Sequence, residues 1–184
     1  MRVKQFNEEV LFAVDPIVKI GFEDIQWLKE QARVNARHRI RVCVHRDTED
    51  TLHEMFIVHA RGAYVRPHKH LGKSESFHVI EGEVDVVFFD ENGGITEVVP
   101  MGNYSSQKRF FYRVGTPSFH TLLITSEVLV FHETTEGPFR REDTVFAPFA
   151  PDETEPTVTR EFQERLAESV ERLKFARETG SMPG

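Results

Sequence analysis

From Met55 to Glu133 the chain alternates apolar and polar residues in short runs, each closed by a turn signal. Such runs read as half-buried strands, because side chains two apart share a face. The candidates are residues 55–60, 63–70, 75–82, 83–90, 95–99, 109–114, 120–125 and 127–133. The DENGG turn at 90–94 supplies glycines for positive φ and predicts a hairpin. Upstream, EVLFAV (9–14) reads as a short strand. RIRVCVH (39–45) alternates cleanly, with Ile40, Val42 and Val44 on one face. Only two stretches carry a helical period. Phe22 to about Arg37 places Ile25, Leu28 and Ala32 together, and Thr159 to about Glu178 makes a stripe of Phe162, Leu166, Val170 and Leu173. That second stripe is expected to meet the core or a second copy of the chain.

Many short strands at regular spacing predict a mainly β sandwich or barrel with a helix near each end. The expected organisation is one structural domain. Residues 1–50 pack on a barrel core of 51–135. Residues 136–158, rich in Pro, Thr and acid, form an arm laid over it, and 159–184 form a helix and a frayed tail.

Composition narrows the function. The 184 residues carry 23 Lys and Arg against 30 Asp and Glu, a formal net charge of −7. With no basic cluster, nucleic acid is not an expected partner. A lone Cys43 excludes an internal disulfide framework and reads as a buried thiol. No run is long and apolar enough to span a membrane, and the N-terminal stretch lacks a signal-peptide pattern. The expectation is a cytoplasmic protein with a small-molecule partner.

The chemistry concentrates in GAYVRPHKHLGKSESFHVIEG, residues 62–82. On an extended strand His68 and His70 project the same way, about 7 Å apart. The chain turns at LGKS, and Glu75 opens the next strand facing the same space. His78, three residues on, faces away, whereas Phe77 and Val79 share the face of Glu75. His120 heads an otherwise apolar row with Leu122 and Ile124, where an unpartnered imidazole is costly and a metal would satisfy it. Tyr64 and Arg66 continue the row of His68. Lys73 sits in the connecting loop. Tyr64, Arg66, Lys73 and Phe77 are therefore the candidate substrate-binding residues, with Arg66 or Lys73 meeting an anionic group.

Gly62, His68, His70, Glu75 and Gly82 stand at the spacing G-x5-H-x-H-x4-E-x6-G, which resembles the first sequence motif of the cupin superfamily. GTPSFHTLLI (115–124) is similar to the second motif; it keeps His120, reverses the Pro and Gly places and has Ile124 where Asn is usual. The resemblance implies a double-stranded β-helix (jelly-roll) barrel holding one divalent transition metal (Fe, Mn, Ni, Co or Zn) through His68, His70, Glu75 and His120. It also implies a homodimer. YVRPHKH (64–70), KSE (73–75), VVFFDENG (86–93), FHETTEGPF (131–139) and FAPFAP (146–151) resemble the WbuC family of cupin-fold metalloproteins, over about residues 20–152. That likeness implies a sugar or sugar-nucleotide ligand in bacterial polysaccharide metabolism. A metal-dependent isomerase or epimerase is the leading expectation. An Fe(II)-dependent dioxygenase and a non-enzymatic ligand-binding protein are the alternatives. The ligand set leaves the catalytic base unassigned; Tyr64, His45 and His59 are its candidates.

Overall fold

In the computed structural model, residues 1–179 are described; the expected frayed tail falls beyond them. Twelve strands and two α-helices, with two short 3-10 turns, lie among the described residues. They are β1 (Val3–Gln5), β2 (Val10–Ala13), α1 (Phe22–Val34), β3 (Arg39–Cys43), β4 (Leu52–Ala60), β5 (His68–His70), β6 (Glu75–Glu81), β7 (Glu83–Phe89) and β8 (Ile95–Gly102). There follow β9 (Phe111–Val114), β10 (Phe119–Ile124), β11 (Val128–Glu136), β12 (Thr144–Phe146) and α2 (Pro156–Glu178). They build a seven-stranded sheet ordered β1-β2-β3-β4-β11-β6-β9 and a five-stranded sheet ordered β12-β5-β10-β7-β8. Every pairing is antiparallel except β2 with β3. This is a mainly β jelly roll with flanking helices: the alternation predicts the sandwich or barrel, and the motif resemblance implies the jelly roll.

The two sheets close on an apolar core of Met55, Phe77, Val79, Val86, Met101, Leu122, Leu129 and Phe131. Phe77 and Phe131 stack there at 4.1 Å between ring centroids. Each sheet also has a covered outer face. α1 lays Leu28 and Ala32 on Ile40, Val42, Val58 and Val130. α2 lays Leu166 and Val170 on Val87, Phe89 and Phe119. The second helical stripe thus meets the protein's own sheet. Lys174 on α2 ties this layer down through Asp85 of β7 at 2.6 Å, with the Asp85 carboxylate almost wholly buried.

Two glycines explain tight joints. Gly93 takes φ +88° in the β7–β8 turn, where the Asp90 carboxylate accepts hydrogen bonds from the Asn92 and Gly94 amides at 2.8 Å each. Gly82, at φ +87°, joins β6 to β7 against the Val128 carbonyl, so no side chain fits there.

The observed elements differ from the sequence pattern at several places, among them a first strand, β1, that the pattern does not announce. α1 stops at Val34, and the chain reverses through His38 at φ 54°. The run 63–70 is a strand only over His68–His70; the residues before it are not paired in a ladder. The arm contributes β12, whose Thr144, Val145 and Phe146 pair with His70, Lys69 and His68. Nothing in the local pattern of this three-residue strand announces it, because its partner is distant in sequence.

Candidate functional site

The five-stranded sheet carries all three predicted histidine ligands. His68 of β5 is the direct cross-strand partner of His120 on β10. His70 follows on the same face of β5. Their rings stand 4.8 Å (His68–His120), 4.9 Å (His68–His70) and 6.2 Å (His70–His120) apart, centroid to centroid. Glu75 reaches the same place from the first residue of β6 in the other sheet. Its Oε1 is 3.1 Å from His120 Nε2, and its Oε2 is 3.3 Å from His70 Nε2. The Tyr112 hydroxyl donates to Glu75 Oε1 at 3.0 Å. His78 is exposed on the opposite face, beside Phe110.

The outer nitrogens of the histidines are already engaged. His68 Nδ1 lies 2.9 Å from the Arg66 carbonyl, and His120 Nδ1 lies 3.0 Å from the Ser118 carbonyl. A carbonyl only accepts, so each Nδ1 carries the proton. This orientation turns each Nε2 toward the cluster. His70 Nδ1 meets the Thr144 hydroxyl at 3.2 Å. Burial, followed by the neighbouring His120 and His70, pushes the His68 imidazole down to about 3. Burial opposes charge on Glu75 too, but the bonds from His120 and His70 hold it well below the usual carboxylate range. In return, the bond to Glu75 outweighs burial at His120 and raises its imidazole.

Three imidazoles and one carboxylate, with two far nitrogens fixed by backbone carbonyls and the third by the Thr144 hydroxyl, match in chemistry the donor set of a divalent transition metal. Glu75 is bonded directly by its histidine neighbours. Among the described residues, no group of three or more His, Cys, Asp or Glu side chains stands at metal-binding geometry.

The cluster forms one wall of a cavity of about 420 Å³. Arg66 and Phe77 line this cavity, whereas Tyr64 and Lys73 do not. Tyr64 donates its hydroxyl to the Pro151 carbonyl at 3.1 Å and packs edge-on against Phe162 of α2. Lys73 is held by the Pro138 carbonyl at 2.5 Å and by Asp143 at 2.8 Å. Arg66 pairs with Asp152 at 2.6 Å and lies over the Phe146 ring. The arm also lends Phe139, Arg141, Thr144, Phe146 and Glu153 to the cavity lining.

The seven-stranded sheet adds Arg39, Arg41 and Glu133, to which the sequence pattern gives no role, and brings in His59, one of the candidate bases. Arg39 and Arg41 of β3, His59 of β4 and Glu133 of β11 all line the cavity. Glu133 makes no side-chain hydrogen bond or ion pair among the described residues. Burial, reinforced by the charge of Glu75, pushes its carboxyl up to about 7. Of the base candidates, His59 lies in the cavity but burial drives its imidazole down to about 3. His45 lies outside it, stacked on His53 at 4.0 Å.

Residues 20–101 match the family model described as a domain of unknown function, DUF6016, which covers less than half of the chain. No curated protein matches the sequence. Similar solved structures include a protein of Shewanella oneidensis at 8% identity and TM-score 0.45, covering 56% of this chain and 66% of that one. The Cnp3 cupin domain of Schizosaccharomyces pombe is 13% identical at TM-score 0.42, covering 53% and 64%. Oxalate decarboxylase of Bacillus subtilis, a protein with Mn(II) centres, is 18% identical at TM-score 0.42, covering 53% and 24%. In each case the match covers less than two thirds of the other chain. No helix among the described residues is long and apolar enough to cross a membrane.

Proposed function

We propose that the protein is a metal-dependent enzyme acting on a small anionic or sugar-like molecule in the cavity between its sheets. The observation that carries this reading is the convergence of His68, His70, His120 and Glu75 on one cavity wall, with two Nδ1 atoms tied to carbonyls. His68, His70 and His120 would hold the ion through Nε2, and Glu75 through its carboxylate. When bound there, a divalent ion supplies Lewis-acid polarisation of a substrate carbonyl or hydroxyl. The chain's own residues do the rest. Arg66 and Glu153 shape one side of the cavity, and Phe77 and Phe131 exclude water from another. Glu133 is the group suited to carry a proton. Its carboxyl faces the cavity without a protein partner and titrates near neutrality, where a general base is most effective. This assignment replaces Tyr64, whose hydroxyl is spent on Pro151 and pushed up to about 12 by burial. Proton movement beside a carbonyl fits an isomerase or epimerase. The resemblance of 64–70, 73–75, 86–93, 131–139 and 146–151 to WbuC proteins favours a substrate from bacterial polysaccharide metabolism.

Elemental analysis of untagged protein, purified without added metal, tests the reading beside a His68→Ala/His120→Ala variant. The expected result is close to one transition-metal ion per chain in the native protein and almost none in the variant. A native protein that stays metal-free after reconstitution with each candidate ion would overturn it.

A further inference from the structure

Five arginines and four glutamates line the cavity, in a chain whose formal net charge is −7. Most of these cations already have partners. Arg39 is bound by Glu9 at 2.7 Å and by Glu153 at 3.2 Å, and it also donates to the Tyr64 carbonyl at 3.2 Å. Arg37 pairs with the same Glu9 at 2.9 Å. Arg66 is taken by Asp152. Arg141, at the rim, is exposed and solvated.

Arg41 is different. It sits in the middle of β3, half-buried, opposite Ile57 of β4. It forms no ion pair among the described residues. Among the described residues its one side-chain hydrogen bond is a long contact, 3.9 Å, from Nη1 to the Met55 sulfur. Thioether sulfur is a weak acceptor and leaves the guanidinium fork unsatisfied. Glu133 lines the same cavity and Arg41 favours its charged form, but no hydrogen bond or ion pair joins the two among the described residues; a half-buried guanidinium without a hydrogen-bonded counter-ion forfeits hydration for little return. Next to it, His59 is 7% exposed and its Nδ1 has no partner. Its imidazole is held neutral by burial, with the charges of Arg39 and Arg41 adding to the effect. The cavity lining therefore combines a guanidinium fork with no ion pair and an incompletely satisfied imidazole with the three histidines and Glu75.

We propose that Arg41 is the anchor for an oxyanion group of the ligand, a carboxylate or phosphate bound through the guanidinium fork at the β3 side of the cavity. The fork matches two oxygens of either group. This deepens the small-molecule reading of the cavity but does not require the metal. The ligand would span from Arg41 to the His/Glu wall, with its reacting atoms at the far end from its charge. The anchoring role expected of Arg66 and Lys73 passes to Arg41, because those two cations are engaged by Asp152 and Asp143.

The test is calorimetric titration of chelator-treated, full-length protein with inorganic phosphate and, separately, with malonate. The wild-type protein is expected to bind at least one of them, more weakly as NaCl rises. Which probe binds tells a phosphate ligand from a carboxylate. Arg41→Gln should weaken binding by about tenfold or more, the usual loss for a charge-assisted bond. Arg41→Lys should retain part of it, and Lys73→Gln should stay within about twofold. Circular dichroism and the urea midpoint establish that Arg41→Gln is folded; if it is not, Arg41→Lys carries the comparison. Three results overturn the proposal. They are no anion binding by wild-type protein, unchanged affinity in the Arg41 variants, or a loss that appears in Arg66→Gln instead. Anion binding by protein that takes up no metal would sustain Arg41 while removing the metalloenzyme reading, so the two fail separately.

Discussion

Replacing Glu133 by Gln keeps the side chain's shape but removes its ability to ionise. In the metal-free protein, the Glu133 carboxyl rises from 4.5 to about 7 on folding, through burial first and the charge of Glu75 second. The folded state therefore binds this proton more tightly than the unfolded state. Between pH of about 4.5 and 7 the unfolded chain releases it and the folded chain keeps it. Stability falls with rising pH across that window and levels off above it. At about 1.4 kcal/mol per pH unit, the wild-type protein loses at most about 3 kcal/mol between pH 4.5 and 8 from this one group. Arg41, which favours the charged form, is already part of that balance. Glu133→Gln cannot pay this penalty. It should match wild type near pH 4.5 and exceed it by about 2–3 kcal/mol at pH 8. Urea denaturation at both pH values with chelator present measures the difference. A variant whose offset from wild type is the same at pH 4.5 and pH 8 would refute the argument that the half-buried carboxyl titrates near neutrality.

Three further outcomes are expected. Lys174→Met strips the buried Asp85 carboxylate of its partner and should cost about 2 kcal/mol by urea denaturation, below the 3–5 typical of fully buried pairs because Lys174 is partly exposed; adding Asp85→Asn should recover most of it, and no recovery would mean the ion pair is not the cause. Gly82→Ala puts a Cβ against the Val128 carbonyl at positive φ and should destabilise on the order of 3 kcal/mol or more, read as a lowered thermal midpoint. The Cys43 thiol, 4% exposed and pushed up to about 11 by burial, should react with Ellman's reagent only in denaturant, whereas native-state labelling at a free thiol's rate would contradict its burial.

Most strands, both helices and the turn at Asp90–Gly94 were legible because each reports a local period or a local backbone need; the three-residue strands β1 and β12 were not. The gathering of His68, His70, Glu75 and His120 was legible for a similar reason: two-residue alternation fixes which side chains share a face. Arg41 and Glu133 were not. In RIRVCVH the apolar set Ile40 and Val42 looks like the inward face, and the arginines look solvated. Yet α1 covers Ile40 and Val42 from outside, while Arg39 and Arg41 face into the barrel. A strand covered on both sides breaks the equation of apolar with inward. Only the tertiary position of α1 reveals it. Glu133 is hidden in the same way, being the continuation of the inward row of Leu129 and Phe131 into the cavity.

The pairing of β12 with β5 bears on the order of events during synthesis. His68 and His70 lie on a three-residue strand with a single registered partner, His120, on one side and the arm on the other. Neither neighbour exists while the ribosome has made only the first half of the chain. The histidine pair is translated early, yet it gains a fixed direction only after His120 and then Thr144–Phe146 have emerged. Long-range pairing of this kind closes late, because loop entropy is lost before the contacts are gained. The cluster of His68, His70, Glu75 and His120 is therefore expected to assemble only when nearly all the barrel has left the ribosome, and a nascent fragment to carry two loose imidazoles in place of a cavity wall.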